Sequence, residues 1–491
     1  MIFNSVTFVI FLLITVLLFW ALPRKPRLIF VFLASLTFYG FWRWEFLSIV
    51  LISTVLDYLV SLALGKTPDE EKLKRKGLLL ISLITNLGLL VYFKYMFFIV
   101  DNLNSILSYA SGAELSTTEI VLPLGISFYT FQTISYTIDV YRRHIKPEKD
   151  FMLYGCYVTF FPQLVAGPIL RASEVMDQLS ARPRFKLEFI SEGLKRILKG
   201  LFLKVVLADN IAALVDVGFG LEVNTLGAMD VWTLAFLFGF QIYFDFAGYS
   251  HIAIGCAKLM GISFPENFNY PYAARSFKAF WKRWHISLSS WIRDYLYLPL
   301  ASAKVVDKSL KSQGGIGTEH LSNKISKGKQ NYALFMTWAI MGLWHGANWT
   351  FVLWGLFHAV LIFIERMLSP VRERSKVLSS SLVGWGFTIP IAMLGWIPFR
   401  ASNVADSLSM FAKVLTPSSY AQMALRENSY LVAFILFAAV TMSYVYKAYL
   451  EEKINERPAL RYTFNTVQFA VMFVLVFTFF RPISQFIYFQ F

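Results

Sequence analysis

Six histidines are the residues of this 491-residue chain best suited to moving a proton near neutral pH. His144 sits among Arg142, Arg143 and Lys146 and reads as a solvated loop residue. His320 lies in a Gly/Ser/Lys-rich stretch and reads the same way. His251 follows Tyr249-Ser250 beside an apolar segment, which suits a packed, hydrogen-bonded imidazole. His358 follows Trp354-Gly355-Leu356-Phe357 inside an apolar run. A polar group there is costly and marks function, although a hydrogen bond between helices would also account for it.

His285 and His345 carry more information. The stretch from Ser276 to Leu298 reads as one amphipathic helix, with Ser276 as its cap and Pro299 at its end. Trp281, Trp284, His285, Leu288, Trp291, Ile292 and Tyr295 fall on one stripe, and Lys282, Ser289 and Arg293 lie off it. A basic helix with a Trp-rich face belongs at a membrane interface. His285 is on the apolar face, where two readings fit: a buried imidazole bonded to a backbone carbonyl, or a functional group. His345 lies in Met341-Gly-Leu-Trp-His-Gly-Ala-Asn348, which interrupts the apolar run from Phe335 to Ile364. Gly346, Ala347 and Asn348 supply turn chemistry. At the turn of a membrane hairpin an imidazole can act as general base or as a structural hydrogen-bond partner.

No rival site is visible. The chain has no P-loop, GxSxG, HExxH or kinase signature. His285 with His345 is too few for a closed metal site, so no bound metal or cofactor is expected. Cys156 and Cys256 stand alone in apolar surroundings and read as packed small side chains.

The elements that must hold these histidines are set by composition. The chain is 56% hydrophobic and 16% charged, against about 25% charged in soluble proteins. Its mean hydropathy is +0.54. Apolar runs lie near 4–22, 28–42, 45–64, 77–100, 229–247, 350–368, 380–398, 430–448 and 466–488. Runs carrying Pro, Gly or charge lie near 120–140, 152–170, 193–216 and 332–348, and these suit broken or re-entrant helices beside a cavity. The fold expected is an all-α, multi-pass membrane protein with about 11 spanning helices plus re-entrant and interfacial ones. The first run lacks a basic leader and a small-residue cleavage site and reads as a retained span.

The net charge of +15 follows the spans instead of forming a nucleic-acid surface, so no nucleic-acid partner is expected. Arg24, Lys25 and Arg27, then Lys72, Lys74, Arg75 and Lys76, then Arg142, Arg143, Lys146 and Lys149 fall on one side, read as cytoplasmic. The segment 301–331 and Arg372, Arg374 and Lys376 join them, while 101–119 is free of Lys and Arg and is placed outside. Both feet of the His345 hairpin are thereby cytoplasmic. Residues 171–200 read as a polar cytoplasmic segment and 303–331 as a mobile loop.

The motif series resembles the membrane-bound O-acyltransferases, in particular their bacterial alginate O-acetyltransferase-like branch. It is carried by Leu122-Pro-Leu-Gly-Ile-Ser-Phe-Tyr-Thr-Phe-Gln132, Tyr136-Thr-Ile-Asp-Val-Tyr-Arg142 and Gln163-Leu-Val-Ala-Gly-Pro-Ile-Leu-Arg171. It continues in Tyr243-Phe-Asp-Phe-Ala-Gly-Tyr-Ser250, Asn267-Phe-Asn-Tyr-Pro-Tyr272, Phe280–Tyr297 and Gly342-Leu-Trp-His-Gly-Ala347. One departure is Ala301-Ser302-Ala303 with a long basic loop, where the family has a short Gly-Gly-Asn turn. The resemblance implies a ring of helices around a central tunnel, with 1–118 and 369–491 as flanking helices and 119–368 as the catalytic core. It implies catalysis by His345 in Trp-His-Gly, with His285 as companion orienting or polarising the donor carbonyl. It further implies a cytoplasmic thioester donor, acetyl-CoA or an acyl carrier, as substrate in the bacterial inner membrane. The partners implied are membrane lipid and an exported polysaccharide or extracytoplasmic acyltransferase. Two alternatives stay open: D-alanyl transfer to teichoic acid from a carrier protein, and a transporter or flippase without chemistry.

Overall fold

A computed structural model describes residues 1, 3, 5–110, 115–117, 120–181, 183–302, 326–446, 450, 453, 454, 456–480, 486 and 487. Among the described residues every regular element is helical. Six helices are long and apolar enough to cross a membrane: Trp44–Lys66, Lys72–Tyr109, Ala228–Leu259, Trp349–Arg374, Ser381–Arg400 and Pro458–Phe479. Val6–Ala21 and Glu427–Ser443 are shorter apolar helices. Leu13, Leu17, Phe434 and Phe477 are among the large apolar side chains these helices leave uncovered. Such faces would be a liability in water and suit hydrocarbon.

Several boundaries differ from the sequence reading. The run expected at 229–247 continues to Leu259, because Asp245 and Ser250 are buried in protein and need no water boundary. Residues 101–110, the start of the stretch placed outside, are helical in Met96–Ala110. There Asn102 and Ser105 donate to the carbonyls of Phe98 and Asp101 one turn earlier, so their polar groups fit a helix. Lys327 and Lys329 open the helix Lys327–His345, capped by Ser326, and do not belong to a loop. Residues 303–325, with His320, lie outside the described residues.

The chain divides into two compact units, Met1–Ile197 with Tyr249–Pro265, and Leu198–Gly248 with Glu266–Phe491. In the first, the helices Leu47–Lys66, Lys72–Leu90 and Ile126–Tyr141 enclose a buried polar network. Asp57 accepts hydrogen bonds from Ser82, from Asn86 Nδ2 at 2.8 Å and from Thr137 at 3.3 Å. Ser53 donates to Asn86 Oδ1 at 2.6 Å. Arg75 and Arg143 turn inward to cap the end of Leu47–Lys66, both reaching the carbonyls of Leu64 and Thr67. Guanidinium groups suit the negative end of a helix and its unbonded carbonyls.

The second unit holds the His345 hairpin. Lys327–His345 and Trp349–Arg374 run back to back, joined by the turn Gly346-Ala347-Asn348. Asn348 caps the second arm by accepting from Thr350 N–H. The arms cross so closely that a Cβ on Gly355 would stand 2.1 Å from the Trp338 carbonyl oxygen, and one on Gly342 2.2 Å from that of Phe351. Backbone on each side leaves nothing that can yield. Gly355→Ala should therefore lower stability by at least about 1–3 kcal/mol, read as a lower melting temperature in detergent. Gly386→Ala, where nothing lies within 4 Å, should leave it unchanged.

Candidate active site

The segment expected as one amphipathic helix is broken at His285. Phe277–Trp281 forms a short helix, capped by Ser276 as expected. A new helix, Ile286–Ile292, starts with His285 as its cap residue at φ 42°, in the left-handed region. Such backbone costs about 1–3 kcal/mol in a non-glycine residue, so its surroundings must impose it. Asn267 does so. Its backbone carbonyl accepts from Ile286 N–H at 2.9 Å, and its side-chain oxygen accepts from Ser287 N–H at 3.2 Å and Ser287 Oγ at 2.9 Å. These bonds replace the acceptors that a continuous helix would have supplied. Burial also exceeds one stripe: Ser289, expected on the polar face, is buried, and Tyr295 is only half-buried.

The same Asn267 oxygen defines the His285 tautomer. A backbone N–H can only donate, so the Asn267 atom facing Ser287 N is the oxygen. His285 Nδ1, 3.1 Å from that oxygen, must carry its proton. Nε2 is then the lone-pair nitrogen. The ring is buried edge-to-face on Phe246, with centroids 4.5 Å apart.

His345 arrives at the same state by a different route. It is the last residue of Lys327–His345, and its Nδ1 lies 2.7 Å from the Met341 carbonyl oxygen one turn earlier. A carbonyl only accepts, so Nδ1 donates and Nε2 again holds the lone pair. The ring packs on Trp344 and Trp354, each at 4.8 Å, and on Phe399 at 5.4 Å. Trp284, next to His285 in the chain, touches Trp396, which stacks on Trp354. The two segments are therefore joined by rings.

His358 belongs to this cluster, which the sequence reading did not anticipate. Its ring contacts Trp281 at 5.0 Å, Trp354 at 5.2 Å and Trp338 at 5.6 Å. The expected helix-to-helix hydrogen bond is absent among the described residues, because indole rings and Gly395 stand where an acceptor would have to be. The indole N–H groups of Trp281, Trp338 and Trp354 are likewise buried without a hydrogen-bond partner among the described residues. Each unmade bond of this kind costs about 1–3 kcal/mol. Trp354 and His358 are four apart on one helix, a spacing that could have signalled their shared face. Of the other described histidines, His144 is half-exposed beside Asp139, and His251 is half-buried within Ala228–Leu259.

Comparison with known proteins gives the family of the chain. The chain is 37% identical to a probable alginate O-acetylase of Azotobacter vinelandii, over 85% of this chain and 78% of that protein. It belongs to the membrane-bound O-acyltransferase family. The family profile matches residues 147–314. A peptidoglycan O-acetyltransferase of Helicobacter pylori is 34% identical over 79% of this chain and 73% of its own length. A teichoic acid D-alanyltransferase of Streptococcus thermophilus is 30% identical, over 49% of this chain and 56% of its own length. This membrane-bound O-acyltransferase is thus an alginate O-acetyltransferase-like enzyme, and the transporter alternative falls away.

Asn267 stands within a family-like motif of this enzyme, but its role as clamp of His285 emerges only from the fold. Asn267→Ala should strand the Ser287 and His285 donors together. Stability should fall by about 1–3 kcal/mol and acyl transfer should slow, whereas Asn267→Asp, which keeps an acceptor oxygen, should retain more of both. Thermal unfolding in detergent and acylation of the cell's surface polymer read the two effects.

Proposed function

We propose that this enzyme moves an acetyl group from a cytoplasmic thioester, acetyl-CoA or an acyl carrier, across the bacterial inner membrane to a hydroxyl. The hydroxyl belongs to an exported polysaccharide or to the extracytoplasmic partner that modifies it. The observation that carries the reading is the His345 tautomer at the hairpin turn, with Nδ1–H held by the Met341 carbonyl and Nε2 presented as a base. From Tyr332 to His345 the helix rises about 20 Å, which takes the imidazole well into a hydrocarbon core about 30 Å thick. A base at that depth can serve a donor from one face and an acceptor from the other.

The reaction balances with this chain's own groups. The acceptor oxygen attacks the thioester carbonyl carbon while its proton passes to His345 Nε2. The tetrahedral adduct collapses, the C–S bond breaks, and the departing thiolate takes the proton back from His345. His285 polarises a carbonyl only as an imidazolium, since its neutral tautomer shows a lone pair at Nε2. Neutral His285 is better suited to accept a hydrogen bond from a second hydroxyl of the acceptor and so hold the reacting one in line. Acetyl is favoured over D-alanyl because the O-acetylating relatives match most of the chain and the D-alanylating one about half.

Replacing His345 by Ala should abolish acylation with the protein still present in membranes. Full acylation in that variant would remove the base from the scheme. Labelled acetate should appear on the surface polymer of cells carrying the wild-type chain, and labelled D-alanine should not. Mass analysis of that polymer with and without the protein distinguishes the two acyl groups.

A further inference from the structure

The two histidines present lone pairs, so neither in its neutral form donates to the oxygen that becomes negative during acyl transfer. That oxygen needs N–H groups aimed at it in a dry site. The second unit contains buried N–H groups that have no hydrogen-bond partner among the described residues. Trp281, Trp338, Trp354 and His358 are each more than nine-tenths buried, and the indole N–H groups and both His358 ring nitrogens lack a hydrogen-bond partner among the described residues. Their rings form one cluster, with Trp281 and Trp338 at 4.6 Å and Trp354 against both His358 at 5.2 Å and His345 at 4.8 Å.

The inventory of this cluster selects its ligand. Three indoles offer three N–H donors and no acceptor, and a neutral imidazole adds one donor and one lone pair. Four donors face a single acceptor. Water brings two donors of its own and would leave one of them unmet here. An oxygen that only accepts is the better fit, which describes a carbonyl oxygen and, better still, an oxyanion.

We propose that the indole N–H groups of Trp354, Trp338 and Trp281 form the seat for the carbonyl oxygen of the acyl thioester, with Trp354 as the principal donor to the oxyanion. This rests on the reading of His345 as the base. As the acceptor oxygen bonds to the carbonyl carbon, the C=O π pair moves onto the oxygen held by the indoles, and the acceptor's proton goes to His345 Nε2. The pair returns to carbon when the C–S bond breaks and the sulfur leaves with its electrons, taking the proton from His345. No further reactant is needed.

The test replaces each indole by a ring without the N–H, in the full chain in its own membrane. Trp354→Phe should slow the incorporation of labelled acetate into surface polymer by about 10²-fold, with protein level and melting temperature unchanged. Trp338→Phe and Trp281→Phe should slow it less, and they carry the same test if Trp354→Phe does not accumulate. Trp385→Phe, whose indole N–H already donates to the Tyr272 carbonyl at 2.9 Å, should keep the wild-type rate. Wild-type rates in all three cluster variants, alongside an inactive His345→Ala, would overturn the oxyanion seat while leaving the base in place; the cluster would then hold water alone. An active His345→Ala, or a polymer without acetyl in the wild type, would overturn the underlying reading and the seat with it. A rate that falls only in step with protein level or melting temperature would show a packing role and also overturn the proposal.

Discussion

The crossing of two helix backbones at Gly342 and Gly355 is the contact on which the surroundings of His345 depend. Carbonyl oxygens of Trp338 and Phe351 occupy the space that side chains would need at these glycines. That approach brings Trp338 and Trp354 from opposite arms within ring contact, with centroids 6.1 Å apart. It also leaves the turn after His345 short enough for Asn348 to cap the returning helix. Wider arms would separate the indoles and free the imidazole from its aromatic wall. In a membrane, where helices gain little by hiding apolar surface from one another, such close backbone contact is a principal source of association. The hairpin's stability and the geometry around His345 thus come from the same two residues.

Acceptors of unambiguous chemistry then define the histidines. The Met341 carbonyl and the Asn267 oxygen each hold an Nδ1 proton, one through a local helix contact and the other across 18 residues of sequence. In their neutral forms both imidazoles would carry the lone pair on Nε2, which makes a site rich in bases and poor in donors. Acyl transfer needs both, so the shortage has to be met by something other than these histidines. The buried indole N–H groups meet it without introducing a charge that the bilayer would penalise.

What the sequence made legible follows from range. The hairpin could be read because turn residues and apolar runs are local signals, and both arms are consecutive. The His285 helix was misread as continuous because its break is imposed by Asn267, whose cap lies outside any local window. His358 was read as a helix-to-helix hydrogen bond because its spacing shows that it is buried, not what surrounds it. The indole cluster is built from three segments, and only the fold shows that its N–H groups meet no acceptor among the described residues. The basic residues Lys327 and Lys329 read as loop because charge alone does not reveal a helix start, whereas Ser326 accepting from Lys329 N–H does.

Buried polar groups in the two units differ in a way that separates structure from chemistry. In the first unit, Asp57 receives donors from Ser82, Asn86 and Thr137, and Asn86 is held in turn by Ser53. Every donor named there has its acceptor, and the result is a clamp between three helices. The second unit contains a cluster of buried polar atoms at Trp281, Trp338, Trp354 and His358, yet its donors meet no acceptor among the described residues. Indoles at these positions bury N–H groups that phenyl rings would not carry. Their place beside His345 is explained if the missing acceptor arrives with the substrate and is most negative at the transition state. The unmet bonds would then raise the energy of the empty enzyme and be made where acyl transfer needs them most.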